Sequence, residues 1–509
     1  MEEHELVKTT LGAYTRLDKE PGEKIVKYFY YDRSARTPEQ FDAYVKMTLA
    51  HVVMLCEQKI IKKKEAALIL EALLEVDGMG VEKFPLNPKL TETVLQVEAY
   101  VLDRVGPEVG GNIHIGRSRC DLSPSISRLG LRPKIIAIIE KVIELREAIL
   151  EQAERHVETI MPIYTHMQHA QPITFGHYLI SIADALERDL RRLFNAYACT
   201  NSSPLGTAAT AATSWPINRH RLMELLGYDT LIENSRDAGV AKDYLIETMA
   251  AFCTLMAHIA RTATDLWIWA TSEFDMVELD DEYTGTSSAM PQKKNNYPLE
   301  VMRYRYAQII GDMTTVLSAL KGPNSIDSET LLLDTSTEPM MHAAKYTLDT
   351  TDFMVGVLST LRVKEEVMKE RAGMYFAQVL ELADTMGQMG LVSWRTAHHI
   401  VGKIVNLAIA RKINPRDIDT KLVDEAAREI IGRPLNMSDE IVKKALDPGE
   451  FVKRRTIIGG PAPVEVRRML KDRKSRIINE RKRLEEVKSK IDQSLKLLYQ
   501  EVDSIVRRA

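Results

Sequence analysis

The stretch "IIAIIEKVIELREAILEQAERHVETI", Ile135 to Ile160, decides the fold class. Its apolar positions Ile135, Ile138, Val142, Leu145, Ile149, Ala153, Val157 and Ile160 recur at steps of three or four, the period of one helix face. An unbroken stripe of this kind predicts a long, core-facing helix. Similar patterns occupy Ile180 to Ala196, Leu245 to Ser272 and Val301 to Leu320, while alternating strands bounded by turn signals are scarce. The chain reads as all-α, with long helices side by side in a bundle whose sites come from facing helices. Pro and Gly cluster at "KFPLNPKL", "VGPEVGGNIHIG", "SSPLGT", "LKGPNS" and "IIGGPAP", which mark loops between the helices. From Arg473 onward, Leu484, Val487, Ile491, Leu495, Leu498, Val502 and Ile505 share one stripe. That is an amphipathic tail helix, packing on the body or on a partner subunit. The expected division is an N-terminal helical domain (1–115), a central bundle (116–366), a C-terminal helical domain (367–472) and the tail (473–509).

Composition limits the function classes. The 509 residues are 45% apolar and 28% charged with a formal net charge of -4, the balance of an ordinary soluble globular protein. This gives no electrostatic case for nucleic acid. "MEEHELVKTT" has no apolar signal core, and no uninterrupted apolar run approaches the roughly 18 residues of a membrane span. Cys56, Cys120, Cys199 and Cys253 lie far apart with no CxxC pair, so reduced thiols and a cytoplasmic location are expected.

Three loops carry the chemistry. In "GNIHIGRSRCDL", Gly111 to Leu122, two arginines flank Ser118, and Arg119 has the fork to grip a carboxylate in bidentate fashion. The alternative is a turn whose arginines cap a helix or pair with Asp121. In "IYTHMQHAQPITFGHYL", Ile163 to Leu179, His166 and His169 are spaced to share a helix face, and His177 follows. No Cys, Asp or Glu stands in a zinc spacing with them, so no metal is expected. Thr165 and His166 supply a hydroxyl donor and a proton carrier that titrates near neutrality. The third loop, "TGTSSAMPQKKNNYPLE", Thr284 to Glu300, offers Ser287 and Ser288, Lys293 and Lys294, Asn295, and Glu300 at the start of the next helix. A solvated flexible loop fits that composition. So does a device that recognises an anion and holds a group for acid and base work.

The three loops in this order resemble the aspartase, fumarase and argininosuccinate lyase superfamily, with "SSAMPQKKN" as its signature loop. Within it, "GRSR", "YTHMQHAQPITFGHYL", "SSPLGTAA", "NSRDAGVAKDYLIE", "AHHIVGK" and "RRTIIGGPAPVEVRRML" are most similar to the argininosuccinate lyase family, from about residue 40 to 470. The resemblance implies a homotetramer with a twenty-helix core, active sites assembled from loops of three subunits, and no metal or organic cofactor. It makes Ser287 the base that removes a proton beside a carboxylate. His166 then serves the leaving nitrogen, and Glu300 is the carboxylate that holds His166. Ser118, Arg119, Thr165, Lys293 and Asn295 become the groups that hold the substrate and its developing charge.

The departures from that family pattern concern the substrate. Cys120 stands where the family has an amide, and "TETV" at Thr91 to Val94 replaces a segment that bears histidine. Thr286 replaces a glycine. After "LKG", Asp327, Glu329, Leu332 and Thr335 replace a Tyr, a Lys, a Gln and a second Lys that hold the arginine half of argininosuccinate. Two cations are lost and two acids gained, so a cationic amine is expected there. The expectation is a lyase that releases fumarate from an N-substituted aspartate, of the ethylenediamine-disuccinate kind. The alternatives are argininosuccinate lyase proper and, in another class, a non-catalytic structural protein of the lens-crystallin kind.

Overall fold

The computed structural model describes residues 21–30, 38–87, 89–321 and 329–508. It is 71% helical, and the strands among the described residues form only two-stranded pairs, so the fold is all-α as the periodicity requires. Asp327 lies outside the described residues, and at Glu329 the backbone alone is described. The principal helices are α1 (Pro38–Glu57), α2 (Lys63–Lys83), α3 (Thr93–Val105), α4 (Arg119–Arg155), α5 (Phe175–Thr200) and α6 (Asp243–Trp269). They continue with α7 (Tyr297–Ala319), α8 (Glu329–Thr360), α9 (Leu380–Gln388), α10 (Trp394–Ala410), α11 (Thr420–Ile431) and α12 (Pro463–Val506). Among the described residues no helix is long and apolar enough to cross a membrane.

Helix α4 organises the rest, and its bounds differ from the expected Ile135 to Ile160. It starts at Arg119 because Ser118 and Asp121 form a capping box: the Ser118 N–H donates to Asp121 Oδ1 at 2.9 Å, and Ser118 Oγ accepts from the Cys120 N–H. It ends at Arg155. Ile160 opens a hairpin instead, β1 (Ile160–Thr165) paired antiparallel with β2 (Gln168–Thr174). The next helix must start almost on top of the last turn of α4: a Cβ on Gly176 would lie 2.7 Å from the Ala153 carbonyl oxygen, so only glycine fits there.

Contacts along α4 fix the direction of its neighbours. Tyr244, at the start of α6, donates to Ser127 Oγ at 2.8 Å near the start of α4. Arg128 donates to the Cys199 carbonyl at the end of α5, so α5 runs antiparallel. Gln152 donates to the carbonyls of Ser359 and Leu361, which puts the end of α8 beside the end of α4. One apolar core runs through α4 to α8, a second joins α1 to α3 with the last turns of α12, and a third joins α9 to α11 with the segment that follows, as far as Leu446.

The tail helix begins at Pro463, ahead of the expected Arg473, and packs on the body. Leu484, Leu498, Val502 and Ile505 are buried. Its charges meet α4 at a repeat of seven: Lys474 with Glu154, Arg481 with Glu147 and Lys488 with Glu140. An antiparallel pair of helices in coiled-coil register gives that spacing. Arg146 is the buried member of the seam, fully enclosed between Glu187 and Glu480 and donating to the Ala183 carbonyl. Breaking a buried pair strands the partner charges and costs about 3–5 kcal/mol, whereas an exposed pair contributes about 0–1 kcal/mol. Arg146→Ala is therefore expected to lower the thermal midpoint by several times the shift of Arg481→Ala. Thermal unfolding of the two variants side by side checks this, and equal shifts would refute the ranking.

Candidate active site

The first group of predicted residues sits at the N-terminus of α4. Ser118 is the N-cap, and the side chain of Asp121 is fully buried beneath it. Asp121 Oδ2 accepts from the N–H groups of Gly206 and Ala208 at 3.0 and 3.2 Å, which ties the "SSPLGTAA" loop to the Ser118 turn. Burial raises the Asp121 carboxyl above the usual range, against the pull of these N–H groups and of Arg117. Arg117 is buried and donates to the Met47 carbonyl and Thr48 Oγ1, so it holds the turn on α1. Arg119, more than half exposed, donates to Glu92 Oε1 at 3.1 Å. Glu92 belongs to the divergent "TETV" segment. The loop does cap the helix, but through Ser118 and Asp121 and not through the arginines of the alternative reading, and Arg119 faces outward beside them.

The histidines share no helix face, which corrects the expectation. His166 and His169 lie on the hairpin, whose two-residue tip is His166 and Met167, with φ of +54° and +58°, and His177 lies in the first turn of α5. Such a tip suits Asn-Gly, and two larger side chains held in the left-handed region store strain of the kind found at functional sites. Thr165 and His166 are exposed, and among the described residues their side chains have no hydrogen-bond partner. His169 packs between the rings of Tyr164 and Tyr375, and burial, then the charge of Arg371, lowers its pKa. The His177 ring bonds the Gly459 carbonyl at 2.9 Å. His169 and His177 are therefore packing residues, and His166 is the free one.

The signature loop is pinned at its base by a short strand pair, β3 (Gly285–Thr286) with β4 (Lys294–Asn295). Inside it, Ser287 Oγ accepts from the N–H groups of Ala289 and Met290 at 3.3 and 3.0 Å. Two aligned donors stabilise negative charge on that oxygen. Lys293, expected near it, makes no bond to it, and its exposed side chain is unpaired among the described residues. Lys294 donates to the Leu279 carbonyl at 2.6 Å and to Glu278 at 3.1 Å, and pairs with Asp281. Asn295 is half-buried in β4. Glu300, in the first turn of α7, accepts from Trp267 Nε1 at 3.2 Å and does not bond His166.

The two ends of α4 separate these groups. The hairpin follows its C-terminus, and Tyr164 in β1 packs 5.7 Å from Phe274, ahead of the signature loop. Ser118 and Arg119 stand at the other end. A helix of 37 residues rises about 1.5 Å per residue, so its ends are about 55 Å apart. Thr165, His166, Ser287, Lys293, Asn295 and Glu300 therefore share one end of the bundle, and Ser118 and Arg119 do not. Reading the residues missed the structural tasks of Asp121 and Lys294. The spacing of Ser118 and Asp121 is a capping-box signal that could have found the first; Lys294 carries no local signal that separates it from Lys293.

The all-helical architecture is the one the resemblance implies. The family model described as Lyase matches residues 25–311, and one described as Argininosuccinate lyase C-terminal matches 376–453. The chain is 39% identical to argininosuccinate lyase of Methanocaldococcus jannaschii over 462 residues, 90% of this chain and 93% of that one. It is 37% identical to that of Methanosarcina barkeri over 492 residues, 96% and 97% of the two chains. A solved structure of an EDDS lyase variant with bound fumarate superposes with a TM-score of 0.84 at 33% identity, covering 92% of each chain. The chain belongs to the argininosuccinate lyase family and is a fumarate-forming carbon–nitrogen lyase.

The hairpin tip separates backbone from side chain. Glycine at either tip position relieves left-handed strain of order 1 kcal/mol. Met167→Gly is expected to keep or raise the thermal midpoint and to keep fumarate release. His166→Gly gains the same relief and is expected to lose that release. Equal retention of activity in both would make the tip a turn and nothing more.

Proposed function

We propose that this chain releases fumarate from an N-substituted aspartate whose amine part is a cation other than arginine. The observation that carries the chemistry is Ser287 Oγ, which accepts two backbone N–H groups on the signature loop. Those donors favour the alkoxide, the form in which serine can remove a proton from the carbon beside a carboxylate. The C–H electron pair becomes the new carbon–carbon double bond. The C–N pair leaves with nitrogen, which His166 protonates directly or through water. Lys293, Asn295, Ser118, Arg119 and Thr165 hold the carboxylates as the second charge develops. Glu300, which does not bond His166 within one chain, orients the His166 of a neighbouring copy.

Ser118 and Arg119 reach that serine only from another copy of the chain, because about 55 Å of helix intervenes within one. The homotetramer of the resemblance supplies such copies. Val301, Tyr304, Ile310 and Leu317 leave α7 with exposed large apolar side chains, as an interface helix requires. The tetramer works in the cytoplasm. Mixing Ser287→Ala with Arg119→Ala chains and reassembling them is expected to restore activity that neither has alone, since some sites then draw both loops from unaltered subunits. Absence of recovery in verified mixed tetramers would place both groups in one chain's site.

Asp327, Glu329, Leu332 and Thr335 support an altered amine half, in place of the residues that hold arginine. The EDDS lyase neighbour is in keeping with it. A second reading, argininosuccinate lyase proper and a place in arginine biosynthesis, is favoured by the names of relatives at 36–39% identity. Fumarate release against a panel of N-substituted aspartates, argininosuccinate included, decides between them. Ser287→Ala is expected to lower turnover on the active compound by at least about a hundredfold with the assembly intact. His166→Asn should be more damaging than Glu300→Gln, whose carboxylate only orients the ring. For the amine half, Asp327→Asn with Glu329→Gln should raise KM for a cationic adduct, most at low salt. An unchanged KM removes both acids from the site. Efficient cleavage of argininosuccinate by the unaltered protein would establish the second reading instead.

A further inference from the structure

The two adjacent lysines of the signature loop do different work. In extended chain, successive side chains point to opposite sides, so Lys293 and Asn295 fall on one face and Lys294 on the other. The contacts agree. Among the described residues Lys293 is exposed and unpaired, whereas Lys294 is two-thirds buried and satisfies three acceptors ahead of the loop: Glu278, the Leu279 carbonyl and Asp281. Glu278 lies in a strand pair with Arg362, and Asp280, next to it, accepts from Arg362 at 2.9 Å, so this anchor is joined to the end of α8.

Aromatic rings on glycines secure both ends of the same loop. A Cβ on Gly285 would lie 2.6 Å from the ring of Tyr297, so that ring rests directly on the first residue of β3. Ahead of the loop, the Tyr283 ring covers Gly356 of α8 and packs edge-on against Phe353 at 5.3 Å. The segment between these supports is largely exposed. Its conformation, and with it the direction of the Ala289 and Met290 N–H groups, depends on a base that Lys294 fastens.

We propose that Lys294 is a positioning residue: its ammonium, held by Glu278, Leu279 and Asp281, fixes the base of the signature loop so that Ser287 Oγ keeps its two backbone donors. This rests on the lyase reading given above, with Lys293 left to meet the substrate.

Hydrogen exchange over residues 284–296 and steady-state fumarate release, both on the full chain, test the assignment. Lys294→Met is expected to speed loop exchange by about tenfold or more and to lower kcat by about tenfold or more with KM within about threefold. Lys294→Arg should recover part of both. Lys293→Met should leave loop exchange unchanged and act on kcat/KM. The pair Glu278→Ala with Asp281→Ala removes two of the three acceptors, keeps the lysine, and should move loop exchange and kcat in the direction of Lys294→Met if that variant folds poorly. Wild-type exchange in Lys294→Met, or fast exchange with unaltered kcat, overturns the proposal. If the unaltered protein releases fumarate from no adduct, the lyase reading fails, and the exchange comparison alone shows whether Lys294 holds the loop.

Discussion

Helix α4 is a rod, and the groups proposed to serve one reaction stand at its two ends. Little in the fold could bring them together, because the rod is locked along its length. Arg128 donates to the Cys199 and Ala241 carbonyls beneath the ring of Tyr244, and Arg132 donates to Asn201 and the Leu226 carbonyl. Further along, Arg146 is enclosed by two carboxylates. Each buried guanidinium satisfies carbonyls at the end of another element, so bending α4 would strand several charged hydrogen bonds at once. Rigidity of this kind suits a scaffold that presents loops at fixed places, with closure of the site left to association between copies.

How much of this was legible in the sequence depends on which physics set each element. The bundle was legible: the stripe from Ile135 onward and the runs in α5, α6 and α7 are consequences of burial, which periodicity reports directly. The bounds of α4 were less so. Its start is set by the side chains of Ser118 and Asp121, and its end by the close approach of Gly176, and neither is periodic. The hairpin was misread, since "THMQHAQ" places histidines at a helical spacing and contains no glycine to mark a two-residue turn. Only tertiary packing, with Tyr164 against Phe274 and His169 against Tyr375, holds His166 and Met167 in the left-handed region.

The same limit applies within the site. Residue types at Ser118, Arg119, Thr165, His166, Ser287, Lys293 and Asn295 announced anion recognition and proton transfer, but not their grouping in space. Lys293 and Lys294 are chemically identical, and what tells them apart is the direction each takes from an extended backbone. Glu300 illustrates the converse. The resemblance made it the partner of a histidine, while among the described residues its carboxylate accepts from the Trp267 indole.

The two halves of the proposed substrate make unequal demands on such a scaffold. Fumarate chemistry needs a base whose charge is stabilised at the moment it forms, and preorganised backbone N–H groups do this without rearrangement. That requirement is independent of the leaving amine, so the signature loop can stay while the opposite pocket changes. An amine pocket needs only complementary charge and shape, and Asp327, Glu329 and Thr335 in place of a tyrosine and two lysines would invert its sign without touching Ser287. In an electrostatic pocket this inversion counts twice: a cationic amine is attracted, and the carboxylate of an amino-acid leaving group is repelled. A relative at 39% identity can therefore share the reaction while differing in the product amine, and the overall likeness measures the bundle and the fumarate half more than it measures specificity.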